Sequence, residues 1–347
     1  MGFREINQKS NKVRNVETEI TTRLSVVVTA FKRKEFLKEA LLSVLDQSIP
    51  RALYEIICVL AFRDKELSLF MQQNNITEIF NDGSMGEQLL TGLRAAEGEV
   101  VAFLEDDDKF RKDKLSEVFK AYNLNHFVYY HNNVDFIDRT SKEILIPPKP
   151  FNKQVKKDIV WYPNRRLTHI IRQRGDFNMS SIAVRKNWIL KYKKILSQIS
   201  ASPDTIVFFL LTQTGESHFF DTSRLTLYRI HESETNMLTD KERYKEVSGR
   251  FYNSRLACYE GLSNTKIKRI FAATYLLESK FGAYIAGYET LKPKFIEILK
   301  FLWVGLSIRS AFYFRLSIAV ITYDAFPGQI EKIRVSRAGK RYNKIKR

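Results

Sequence analysis

Residues 100–110 read "VVAFLEDDDKF": an apolar run from Val100 to Leu104, four consecutive acids, then Lys109 and Phe110. The apolar run has the composition of a buried strand. Crowding Glu105, Asp106, Asp107 and Asp108 at its end is costly unless a cation, or water at a solvated turn, offsets their repulsion. Alternate residues of an extended chain point the same way, which pairs Glu105 with Asp107 and Asp106 with Asp108. Hard divalent cations such as Mg²⁺ and Mn²⁺ take oxygen ligands, often one or two carboxylates completed by substrate phosphates and water. The alternative is a solvated acidic turn ahead of the following helix, since acids favour helix N-termini.

The flanking sequence alternates strands and helices. "LSVVVTAF" (24–31) is a strand, and "EFLKEALLSVLDQ" (35–47) places Phe36, Leu37, Ala40, Leu41, Val44 and Leu45 at helical spacing. "YEIICVLAF" (54–62) and "ITEIF" (76–80) are further strands, and "GEQLLTGLRAAEG" (86–98) is a helix closed by Gly98. Strands with near-continuous apolar runs, separated by helices, indicate a mostly parallel sheet covered on both faces. Such sheets bind ligands beyond the carboxyl ends of their strands, where the acids at 105–108 lie. After a helix at about 113–122, strands are expected at 126–138, 180–184, 217–220 and 225–230, with a break at "PPKP" (147–150). "SPDTIVFFLLTQ" (202–213) carries a helix N-terminal signal. From about residue 241 the pattern is helical to about 325.

"VVAFLEDDDKFRKDKL", "LSVVVTAFKRKEFLKEALLSVLDQS" and "TGLRAAEGEVVAFLEDDD" together resemble the family 2 glycosyltransferases, which have the GT-A fold and an acidic D-x-D motif. "SPDTIVFFLL" sits where that family has an "ED" dipeptide opening a helix, and "LTLYRIHESETN" (225–236) is similar to its "YRxH" segment. The resemblance covers about residues 22–236. It implies that Thr29, Phe31 and Arg33 lie against the nucleotide, that Asp106 faces the ribose, and that Asp107, with Asp108 or Glu105, binds a divalent metal, Mn²⁺ or Mg²⁺. It implies Asp204 as the general base of an inverting transfer, where a helix cap is the competing explanation. It places His231 on the metal or the diphosphate and Arg229 as a charge clamp on the leaving group. Residues of about 131–180, including His131, Asp176 and Asn178, are expected to shape the acceptor side.

The family pattern is broken in three places. Leu60, Ala61 and Phe62 stand where the family has an Asp that reaches the nucleobase; Asp82, in "FNDGSMGE", is a substitute or a plain Asp-Gly turn. Glu105 replaces the first Asp of the motif, and Pro203 replaces the Glu of "ED".

Charge is unevenly placed along the 347 residues. Lys241–Arg347 holds 22 Lys and Arg against 8 Asp and Glu, a net of +14 out of +18, which leaves +4 for the first 240 residues. Within residues 301–323, Arg309 and Arg315 divide the apolar run into uncharged pieces far shorter than the ~20 residues of a spanning helix. The basic helical third is read either as an attachment to an anionic membrane surface through residues 270–347, or as a helical cap or homo-oligomer contact. Nucleic-acid binding is compatible with the charge, but no nucleic-acid motif accompanies it. Cys58 and Cys258 have no metal-ligand spacing and read as buried thiols. The first residues lack an apolar stretch of signal-peptide length. A cytoplasmic location is therefore expected, with peripheral attachment to the inner face of the cell membrane as one reading.

The expected organisation is a polar lead-in (1–22), an α/β GT-A domain (23–238), a helical extension (239–326) and a basic tail (327–347). The expected function is transfer of a sugar from a nucleoside diphosphate sugar to a hydroxyl of a glycan or lipid-linked acceptor. The alternatives are a catalytically silent glycan-binding or scaffold protein and a nucleotidyltransferase of similar core.

Overall fold

A computed structural model describes residues 23–31, 33–145, 154–163, 167–231, 241–307 and 311–323. The lead-in at 1–22, the "PPKP" break, the end of "LTLYRIHESETN" and the basic tail lie outside them.

Nine strands form one sheet: β1 (Leu24–Ala30), β2 (Tyr54–Leu60), β3 (Thr77–Phe80), β4 (Val100–Glu105), β5 (Lys109–Phe110), β6 (Tyr129–Ile137), β7 (Ile159–Trp161), β8 (Ile182–Arg185) and β9 (His218–Arg229). Their order is β3-β2-β1-β4-β8-β6-β9-β5, with β7 also on β9. The half from β3 to β4 is parallel throughout, as the alternating pattern requires. Beyond β4 the sheet is mixed: β8 runs antiparallel to both β4 and β6, while β6 and β9 are parallel. The two short strands expected at 217–220 and 225–230 are one long strand, because a register irregularity opposite Asn132 to Val134 absorbs the polar interruption.

Side-chain alternation along β1 explains the two layers. Leu24, Val26, Val28 and Ala30 pack with the helix Leu37–Leu45 and with Leu67, Met71, Leu115 and Val118 on one face. Val27 faces the other way, into a core shared with the helices Met85–Ala95 and Pro203–Thr212. Gly92 lets the first of these helices approach β1, since a Cβ there would lie 2.3 Å from a Val27 methyl. That helix begins with a capping box between Ser84 and Glu87 and ends at Ala95, so Gly98 lies beyond it, pressed against Arg23 and Ser25.

The last described part is helical. Lys241–Gly261 packs against the helix Leu277–Ile285, which also supports Phe295–Ser307 and Ala311–Tyr323. Among the described residues, no helix is long and apolar enough to cross a membrane.

Candidate active site

Parallel strands that end side by side bring their following residues together. Thr29 pairs in register with Val59 of β2 and with Glu105 of β4, so the ends of these three strands meet. The acids follow at once, and Arg33, from the loop after β1, reaches back to them. Its Nη2 donates to Asp106 Oδ1 at 3.1 Å and to Asp107 Oδ2 at 2.7 Å. His231, just past β9, places Nε2 2.7 Å from the same Asp107 oxygen and 3.0 Å from Arg33 Nη1. Arg33, Asp107 and His231 thus form one charged knot joining the loops after β1, β4 and β9.

Four acids are crowded into a partly buried place. Burial pushes Asp106 up to about 7 and Asp108 up to about 8, and the Asp107 charge adds to both. Glu105 is raised well above the usual carboxylate range by burial and then by Asp107, Asp108 and Asp204. Burial also acts on Asp107, but the His231 hydrogen bond and the Arg33 charge outweigh it and hold this carboxyl below its ordinary value. Asp108 accepts from the Arg229 backbone N–H at 2.9 Å, while its buried Oδ2 has no hydrogen-bond partner. Ser180 and Asn178 come near enough only to moderate its proton affinity.

Asp204 opens the helix Pro203–Thr212, where Pro203 at the helix start and left-handed Ser202 set the entry. Its Oδ2 accepts the Asn178 backbone N–H at 2.9 Å. Asn178 itself has φ +68°, a left-handed value rare for a side-chain-bearing residue, held by its side chain accepting from Ser180 N at 3.0 Å. Burial raises Asp204 to about 6; Asp176 adds to the rise, and Arg255 opposes it. Because Asp204 is itself among the charges that raise Glu105, base candidate and acid cluster share one electrostatic neighbourhood.

The remaining expected residues fall in three places. Thr29 and Phe31 are half-buried at the end of β1. Asp82 is exposed in the turn after β3, two strands out from β1; its neighbour Asn81 builds that turn, accepting from Gly83 N at 2.8 Å and bonding through its backbone N–H to Leu60 at 2.8 Å. Arg229, expected as a clamp on the diphosphate, spends all five N–H donors inside the chain: on Asp107 O, Asp138 O, Arg139 O, Glu39 and Ser141. Its guanidinium also lies over Phe36, 4.3 Å from the ring centroid. It ties the Asp107 backbone to two other segments.

His131 and Asp176 are buried. His131 Nε2 lies 2.7 Å from Phe177 O, so that nitrogen carries the proton, and Nδ1 is a lone acceptor without a partner. Burial lowers this imidazole to about 4. It lines a pocket with Asn133, Gln154, Gln173, Arg174 and Phe177, next along the chain from Asn178.

Four residues that sequence reasoning passed over shape the site. Asp176 accepts from the Tyr275 hydroxyl and, at 3.4 Å, from Thr205. Tyr275 sits in a single π-helical turn, Ala272–Leu276, of the kind frequent at functional sites, and its carbonyl accepts from Arg255 Nη1 at 2.9 Å. Ser180 Oγ accepts the Glu105 N–H at 3.0 Å. Lys114, fully buried, bonds Asn132 and reaches Ser181 O at 3.4 Å, propping the turn beneath the acids. Lys114→Ala is expected to cost about 3 kcal/mol in urea unfolding, since it leaves a cavity and takes the Lys114 partner from Asn132 Oδ1.

A family model described as glycosyl transferase family 2 matches residues 25–195, from β1 through β8 and the acid cluster. Residues 25–195 form a glycosyl transferase family 2 domain. A poly(ribitol-phosphate) beta-glucosyltransferase of Bacillus spizizenii is 26% identical over 56% of this chain and 33% of its own. A glycosyltransferase of Haemophilus influenzae is 26% identical over 35% of this chain and 51% of its own. The chain thus spans about a third to a half of the length of these two relatives. Among solved structures, S. aureus TarS 1-349 in complex with UDP-GlcNAc shares the fold at a TM-score of 0.54, with 15% identity over 92% of each chain. The acids of this chain close β4, and after Asp107 the acid nearest the Arg33 guanidinium is Asp106.

Proposed function

We propose that this chain transfers a sugar, with inversion, from a uridine diphosphate sugar to a hydroxyl of a glycan or lipid-linked acceptor. The observation that carries the reading is the meeting of Arg33, Asp106, Asp107 and His231 at the strand ends, with Asp204 close enough to raise the proton affinity of Glu105. The choice of uracil rests on the TarS complexes with UDP and UDP-GlcNAc.

Thr29, Phe31 and Arg33 take the nucleotide, and Asp106 the ribose. Asp107 and Asp108, with Glu105 and His231, would hold Mn²⁺ or Mg²⁺. The donor set fits: the oxygens are hard, negative charge is in excess, and Asp108 Oδ2 is buried without a partner. Among the described residues no three His, Cys, Asp or Glu are arranged to hold an ion by themselves, so the fit is that of one or two carboxylates sharing an ion with substrate phosphates. When bound, the ion neutralises charge on the departing diphosphate. Arg229 acts through the Asp107 backbone that it anchors.

In the transfer, the acceptor oxygen attacks the anomeric carbon, the bond to the diphosphate breaks, and the hydroxyl proton passes to an Asp204 oxygen. Asn178 holds Asp204 through its backbone N–H, Asp176 raises its proton affinity, and the pocket beside His131 lies on the acceptor side.

A base must be ionised, so with Asp204 near 6 the rate is expected to rise about ten-fold per pH unit below 6 and to level above it. Because Arg255 lowers this value, Arg255→Met is expected to move that limb to higher pH, which a role in folding alone would not do.

A thermal-shift panel of UDP, GDP and dTDP sugars with and without Mn²⁺ tests the donor, because a ligand bound only by the folded state raises the melting temperature. A UDP sugar should give the largest shift, and nucleoside diphosphate should be released. A donor that shifts the protein without any release favours a silent binder, a reading that Leu60, Ala61 and Phe62 in the nucleobase place keep open. No shift with any donor contradicts the proposal.

A further inference from the structure

The helices Phe295–Ser307 and Ala311–Tyr323 are apolar on two sides. Their inner sides, with Ile298, Phe301, Leu316 and Val320, fill a core with Leu277, Phe281 and Ile285. Their outer sides expose Phe295, Trp303 and Leu306, each at 72%, together with Leu299, Phe314 and Ile321. The spacing 295, 299, 303, 306 is one face of one helix, and 314, 318, 321 one face of the other. Scattered apolar residues on a surface are ordinary, but two adjacent helices with continuous outer stripes are not.

Charge identifies the occupant. Residues 292–323 carry five Lys and Arg against one acid, Glu297, and that acid is paired with Lys280 at 2.8 Å. Lys294, Lys300 and Arg315 are exposed beside the apolar stripes, within a third of the chain whose net charge is +14. A second copy would set like charge against like, and protein interfaces are poor in Lys. An apolar face with cations at its margin and an exposed Trp matches the boundary of an anionic bilayer, where stems and rings enter the acyl region and charges meet headgroups. Each helix has 13 residues, about 20 Å, too short to span and suited to lying flat.

We infer that the outer face of these two helices docks the protein on an anionic lipid surface. This goes beyond the transfer reaction and does not rest on it.

Sedimentation of the full chain with vesicles tests it, using phosphatidylcholine alone or mixed with phosphatidylglycerol. Binding to the mixed vesicles should exceed binding to neutral ones by about ten-fold and fall with salt as the Debye length shrinks from about 10 Å at 0.1 M to about 3 Å at 1 M. Trp303→Glu with Leu306→Glu should lower retention by about ten-fold or more. Their melting temperature and nucleotide-dependent thermal shift should stay unchanged, which separates docking from folding and from the reaction. Lys300→Glu with Arg315→Glu should remove the salt-sensitive part. Absent or equal retention on both vesicle types overturns the inference. So does a concentration-dependent dimer in analytical ultracentrifugation that the Trp303/Leu306 variant abolishes.

Discussion

Asp204→Asn is expected to lower kcat by about 10²–10⁴-fold while leaving donor affinity within about two-fold. Asn keeps the size of the side chain and an oxygen to accept the Asn178 N–H, so the start of the helix Pro203–Thr212 survives. What disappears is the ability to take a proton. Were Asp204 only a favourable acid at a helix N-terminus, the same change would cost about 0.3–1 kcal/mol of stability and little activity. Steady-state kinetics beside a melting curve separates the two. The pH dependence gives a second handle, because the variant should lose the limb near 6 that the buried carboxylate imposes on the wild type.

Asp107→Asn is expected to reduce kcat/KM by about 10²–10³-fold and to abolish the Mn²⁺-dependent part of the donor thermal shift. Asp107 is the acid that the chain keeps ionised, through His231 at 2.7 Å and Arg33 at 2.7 Å, where its neighbours are pushed toward protonation. Removing its charge leaves Asp106, among the described residues, as the one acid paired with Arg33 and takes away the ionised carboxylate among the ligands proposed for the ion. A Mn²⁺-dependent shift that persists in the variant would place the metal elsewhere.

The parallel half of the sheet was legible because each strand is a short apolar run bounded by helix signals, and the acids mark a strand end by their cost. The helix start at Pro203 was legible through Ser-Pro-Asp before an apolar run, a purely local signal, whereas the base role of Asp204 came only from the family resemblance. Arg229 and Lys114 were not. A sequence shows that a cation is present but not where its donors go, and the burial of Lys114 beneath Ser181 arises only when β6, β8 and the helix Lys114–Leu124 come together. Arg255 and Tyr275 were hidden for the same reason, since Tyr275 meets Asp176 across 99 residues. In the strand β9, polar residues at 221–224 looked like a break between two strands, and only the shifted pairing with Asn132 and Asn133 keeps it whole.

The central claim is that the carboxylates closing β4 grip a sugar nucleotide's diphosphate through a divalent ion. Titration calorimetry of UDP into the wild-type protein, with Mn²⁺ and then with a chelator, meets it most directly. Binding at least about ten-fold tighter with the ion is the predicted result. Equal affinity in both conditions would contradict it.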